Sequence, residues 1–286
     1  MNFPVASVLG RPFLRLLSSA CAALAAGQPA PLLSAADPAP ATLPALTLPA
    51  RTALPAPRPH HTFVIVHGAW GGGWAFREVD RLLTADGHKV FRPTLTGQGE
   101  RRHLASRDVG LGTHVDDIVN VILFEDLHEV VLVGHSYGGM VITGVMDRIP
   151  ERIRQVIFLD AAVPDDGDSA CVLWGTKVTA AQKASGFIVP DWVKPDTPLP
   201  HDVPQSLKTW TDPVSFKNPA ARRLPGTFVA FLSNGETPEQ RAENIGWRRA
   251  KARGWATLIM QSDHNAQWSH PKELVQLLEG VADAQP

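Results

Sequence analysis

Cysteine is nearly absent: the 286-residue chain has two, Cys21 and Cys171. Neither belongs to a CxxC pair or a Cys/His cluster, which argues against a structural zinc site. An excess of charge is also missing, with 27 basic against 28 acidic residues. Nothing therefore draws the chain electrostatically to nucleic acid or to an anionic membrane. Tyrosine occurs once, as Tyr137, although there are 8 tryptophans. The apolar run at 16–26 is too short to span a bilayer comfortably, so no membrane span is expected. The length suits one domain of α/β size with extensions, and nothing in it fixes an oligomeric state.

What the chain does contain is one organising stretch, EVVLVGHSYGGMVITGVM at 129–146. Its apolar run at 130–133 has the length and β-branched content of a buried strand. The run breaks at Gly134-His135-Ser136-Tyr137-Gly138-Gly139 and resumes as a helix of small and apolar residues. A turn this tight needs residues without Cβ, so that strand and helix can pass closely. It lifts the Ser136 hydroxyl clear of the backbone at a helix start, and leaves the Tyr137 N–H free to bind an oxyanion. Ser136 is therefore the candidate nucleophile. The plainer alternative is a glycine-rich βα turn whose serine caps the helix.

Residues 1–26 read as a secretory signal, with Arg11 and Arg15 ahead of the short apolar core LLSSACAALAA. A secreted or periplasmic protein is the expectation. Residues 27–60 are rich in Pro and Ala and poor in charge, which denies them a helix or a central strand. They read as a disordered or polyproline spacer, and the folded domain is expected over 61–286.

Strands and helices then alternate. A strand at 62–66 runs into His67-Gly68-Ala69-Trp70-Gly71-Gly72-Gly73-Trp74, whose glycines let the loop close on the Ser136 turn. The Ala69 amide can point at the same spot as the Tyr137 amide, and two such donors make a minimal oxyanion hole. His67 reads as a loop anchor in preference to a base. A helix at 76–86, a strand at 89–92, a helix at 114–123 and a strand at 155–160 follow. The stretch 165–226 then interrupts the rhythm with many prolines and Trp174, Trp192 and Trp210. It reads as a lid which, with Trp70, walls an apolar substrate pocket and excludes water. A surface insertion with a small core of its own is the alternative. Strands at 227–232 and 257–260 and a helix at 273–281 close the chain.

The motifs HGAWGGGW, TLTGQGERRHL, GHSYGGM and FLDAAVPDDGDS, in this order, resemble the α/β-hydrolase superfamily. The likeness covers about 61–283 and is narrower than the superfamily. It is to the small esterases grouped with methyl-salicylate esterases, hydroxynitrile lyases and bacterial pyrethroid-type carboxylesterases. It implies an α/β fold, a mostly parallel sheet with helices on both faces and a small lid. It also implies a triad in the order Ser, acid, His and no cofactor, but it is not specific to a substrate; a small-molecule ester is the expected substrate and no metal is expected. His264, at the exit of the last strand, is then placed to take a proton from Ser136; His270 precedes Pro271 and the closing helix.

The acid is less direct. The resemblance puts a carboxylate after strand 227–232, four residues before a proline, and Pro238 assigns that place to Asn234. Asn cannot supply the charge that stabilises an imidazolium. Asp160, at the carboxyl end of the preceding strand, and Glu236, in the same loop as Asn234, are the candidates. Asp160 is preferred because a strand end is more rigid than a loop. Three functions stay open: a serine carboxylesterase, a hydroxynitrile-type lyase, and a non-catalytic ligand-binding relative. The lyase would need a cation from the lid, where Lys177, Lys183 and Lys194 are available.

Overall fold

The apolar runs marked as strands carry large residues at every position, which suits strands covered on both faces. In the computed structural model, which describes residues 59–194 and 196–284, the inner strands are used this way, while the two edge strands, at 89–91 and 256–261, stay partly exposed. The leader expected at 1–26 and nearly all of the spacer expected at 27–60 lie outside the described residues.

In chain order the elements begin with β1 (Thr62–Val66), α1 (Arg77–Ala85), β2 (Lys89–Phe91) and α2 (Leu111–Phe124). Next come β3 (Val130–His135), α3 (Gly138–Arg148) and β4 (Ile153–Leu159). The inserted region holds short pieces: α4 (Ala170–Trp174), α5 (Ala180–Ser185), β5 (Phe187–Ile188), β6 (Gln205–Ser206) and α6 (Lys208–Thr211). The chain closes with β7 (Gly226–Leu232), α7 (Pro238–Ala242), α8 (Ile245–Ala252), β8 (Ala256–Gln261), α9 (Ala266–Ser269) and α10 (Pro271–Asp283). Sequence reading did not anticipate α7 and α8. Its signals are nonetheless present: Thr237 and Gln240 form a capping box with Pro238 at the first helical position. With no buried residue in α7, the apolar period that marks a helix is missing there.

The main sheet has six strands in the order β2-β1-β3-β4-β7-β8. All its pairings are parallel. Alternate residues face opposite layers. Phe63, Ile65, Val131, Val133, Ile157, Leu159, Val229 and Phe231 pack with α1 and α10 through Val79, Leu83, Leu274, Val275 and Leu278. Val64, Val66, Leu132, Phe158 and Phe228 pack on the other face with α2, α3 and α8 through Ile118, Ile122, Val141, Val145 and Trp247. The expected α/β-hydrolase architecture is therefore present.

From β1 the chain moves outward to β2, then returns to β3 on the other side. That reversal leaves a crevice at the carboxyl ends of β1 and β3, where open α/β sheets place their sites. The loop from Ala69 to Trp74 leaves β1 there, and Ser136 leaves β3. Among the described residues no helix is long and apolar enough to cross a membrane.

Candidate active site

Ser136 sits at φ +52°, in the left-handed region that side chains seldom occupy. Neighbouring backbone holds it there. Its N–H donates to Leu159 O at 3.2 Å, and its carbonyl accepts from Ala162 N–H at 2.9 Å. Close approach explains the glycines that follow. A Cβ on Gly139 would lie 2.0 Å from Ala162 O, and one on Gly138 would lie 2.6 Å from Val66 O. Among the described residues, the backbone N–H groups of Ala69 and Tyr137 donate to no acceptor.

Asp160 leaves the end of β4 at φ +43°. Its N–H is held by Val229 O at 2.7 Å. The turn presents the carboxylate, 8% exposed, to the chain beyond β8, where Oδ2 accepts from His264 Nδ1 at 2.7 Å. A neutral imidazole with its proton on Nδ1 keeps Nε2 as an acceptor. Ser136 and His264 line one cavity of about 420 Å³. Ser136 Oγ makes no hydrogen bond among the described residues; catalytic hydrogen bonds often tighten only when substrate binds.

The competing residues lie elsewhere. Glu236 Oε2 accepts from Ser233 N–H at 2.8 Å and pairs with Arg241 Nη2 at 3.2 Å. Arg241 Nη1 in turn lies 3.8 Å from Asp160 Oδ1, so Glu236 reaches the Asp160–His264 pair only through a guanidinium. Asn234 Oδ1 faces Gln261 Nε2 at 3.5 Å. His270 contacts Ser262 and Ser269 through Nδ1 and is not part of the cavity wall.

Three further histidines surround the site in fixed neutral forms. His67 Nε2 accepts from Leu95 N–H at 3.1 Å, so its proton is on Nδ1, which donates to Gly68 O at 2.7 Å. Burial lowers its pKa to about 4. His114 donates from Nε2 to Thr96 O at 3.0 Å and accepts the Tyr137 hydroxyl on Nδ1 at 3.0 Å. Burial lowers its pKa to about 4 and raises that of Tyr137. His135, which sequence reading passed over, donates from Nε2 to His264 O at 2.8 Å. Burial, then the charge His264 would carry, lower its pKa to about 3. It anchors the backbone of the His264 loop. The signal was in plain view as the residue before Ser136 in the turn.

The expected pocket tryptophans separate into two groups. Trp70 and Trp192 line the cavity, their rings edge to face at 5.3 Å. Trp210 is buried behind Trp70 at 5.3 Å, stacked on Tyr137 at 6.3 Å, with Trp174 against its far side at 5.3 Å. Neither Trp174 nor Trp210 forms part of the wall, whereas Trp268, which the sequence did not single out, does. The insertion is tied to the β1 loop: Gln205 Oε1 accepts from Trp70 N–H at 2.9 Å, and Trp70 O accepts from Val203 N–H at 2.8 Å. This clamp holds Trp70 at φ +62°. Lys177, Lys183 and Lys194 do not line the cavity. Among the described residues no cluster of side chains could hold a metal ion.

A strand–turn–helix serine, a histidine after the last strand and a carboxylate between them in the chain are brought together at the carboxyl ends of one doubly wound sheet. The chain belongs to the Alpha/beta hydrolase family, which it matches over residues 63–277. It is 35% identical over 246 residues to the carbendazim hydrolyzing esterase of a Nocardioides species, a span covering 77% of this chain and 98% of that protein. It is 38% identical to salicylic acid-binding protein 2 of Nicotiana tabacum over 107 residues, covering 36% of this chain and 40% of that one. In fold it is similar to an extracellular α/β-hydrolase from a Paenibacillus species, with a TM-score of 0.62 and 22% identity over 76% of this chain and 97% of that chain. A pyrethroid hydrolase from Sphingobium faniae superposes with a TM-score of 0.58 and 19% identity, over 79% of this chain and 98% of the other.

Proposed function

We propose that the protein is a serine carboxylesterase. Ser136 Oγ attacks the ester carbonyl while His264 Nε2 takes its proton. The N–H groups of Ala69 and Tyr137 hold the oxyanion of the tetrahedral intermediate. His264 returns the proton to the leaving alkoxide, and water hydrolyses the acyl-enzyme by the same steps in reverse roles. Asp160 fixes the Nδ1–H tautomer and stabilises the imidazolium. The observation that carries this reading is the 2.7 Å contact between Asp160 and His264 beside the cavity that holds Ser136. The esterase activity named for the Nocardioides relative supports ester hydrolysis here too. The tryptophan-walled cavity favours small esters with an aromatic portion.

A chromogenic short-chain ester and a fluorophosphonate test the proposal together. Wild type should turn over the ester and be labelled at Ser136. Ser136→Ala should lose about 10⁴–10⁶-fold in kcat while remaining folded. Labelling of another serine, or an active enzyme that escapes labelling, would refute the assignment. No lysine or arginine lines the cavity, so the cation a hydroxynitrile-type lyase would need has no support there.

A further inference from the structure

The cavity contains a carboxylate that the hydrolytic steps do not use. Asp202 lines it together with Ser136 and His264. Its Oδ2 accepts from Trp192 Nε1–H at 2.8 Å, which aligns it with the indole wall. Its Oδ1 has no hydrogen-bond donor and the carboxylate no ion-pair partner among the described residues. That oxygen faces the loop after β1: a Cβ on Gly71 would lie 3.8 Å from it. The neighbouring His201 ring is turned to the Asp202 carbonyl, with Nδ1 at 2.6 Å, and so does not neutralise the side chain. The position is built. Val203, the next residue, bonds to Trp70 O, and Gln205, 1% exposed, bonds to Trp70 N–H.

We propose that Asp202 is a specificity-determining residue that selects substrates carrying a cationic nitrogen beyond the scissile ester. This rests on the esterase reading of the same site. A carboxylate without an ion-pair partner in the cavity wall attracts a cation by its charge. With a neutral substrate it would be partly desolvated and unpaired, and of the same sign as the oxyanion developing beside the same loop. A cationic group on the substrate removes both penalties.

Benzylammonium and benzyl alcohol, matched in size, separate the effect of charge. Their dissociation constants can be measured by ligand-observed NMR, which needs no turnover. Wild type should bind benzylammonium about tenfold more tightly, as expected for one partly screened ion pair. Asp202→Asn keeps the acceptor for Trp192 and should bring the ratio close to one, and Asp202→Glu should keep most of it. Asp202→Asn should also lower kcat/KM for methyl 4-(aminomethyl)benzoate and raise it for methyl 4-ethylbenzoate. Equal affinities in wild type, no binding of either probe, or a preference that survives Asp202→Asn would overturn the proposal. If 4-nitrophenyl acetate is not hydrolysed while the cation preference holds, the esterase reading fails and the cation site stands.

Discussion

At the residue scale, the site depends on side chains held at unusual backbone angles. Ser136, Asp160 and Trp70 all have positive φ, and each is fixed by backbone hydrogen bonds from a neighbouring segment. Such strain persists only where the surroundings over-determine it. Asp160→Asn keeps the shape and removes the charge, so on the proposed mechanism it should cost about 10⁴-fold in kcat with KM little changed. Glu236→Gln should cost only a few-fold, because Glu236 touches Arg241 and not His264. Steady-state kinetics on one ester decide it, and a larger loss in Glu236→Gln than in Asp160→Asn would reverse the roles. Asp160 was the preferred acid on sequence grounds, but Glu236 could not be dismissed from spacing. Which carboxylate meets His264 depends on where the ends of β4 and β7 lie relative to the loop after β8.

At the scale of elements, the insertion between β4 and β7 combines two kinds of aromatic residue that composition cannot separate. Trp192 is 60% exposed and borders the cavity, while Trp210 is 7% exposed and packs under Trp70 and Tyr137. Trp192→Ala should therefore leave the melting temperature nearly unchanged and raise KM for aromatic esters more than for acetates. Trp210→Ala removes a large buried side chain and should destabilise the fold by about 3–5 kcal/mol. Thermal melts together with KM for a bulky and a small ester test both. Equal loss of stability in the two variants would contradict this division. The inner strands of the sheet were legible because both-face burial makes each a continuous apolar run. The short pieces of the insertion were not, because they are too short to show a period and are held by caps, by one another and, at Val203 and Gln205, by the β1 loop.

At the scale of the whole molecule, three neutral histidines lie buried around the site. Their folded pKa values of about 4 for His67, about 4 for His114 and about 3 for His135 lie below the ordinary 6.5. Below pH 6.5 the unfolded chain binds protons that the folded chain refuses. Their contribution to stability is therefore full above about pH 6.5 and is lost as pH falls towards about 4. Each adds a slope of at most about 1.4 kcal/mol per pH unit in that window. Denaturant melts between pH 7.5 and pH 4.5 should show stability falling with acidification. His114→Gln, which keeps a donor for Thr96 O, should flatten the curve if it folds. A profile flat in wild type would mean these rings take up protons in place.

What the sequence determined is what short-range sterics and periodicity encode. The β-branched runs, the strand–turn–helix around Ser136, the glycines at its crossing and the position of His264 after the last strand all follow from neighbours along the chain. Tertiary structure alone decided the rest. Asp160 and His264 are separated by 104 positions and meet because parallel strands bring their carboxyl ends to one edge of the sheet. Asp202 and Trp268 also take their places at the cavity through the tertiary fold, since a side chain's neighbours across a fold leave no local mark on the chain that carries it.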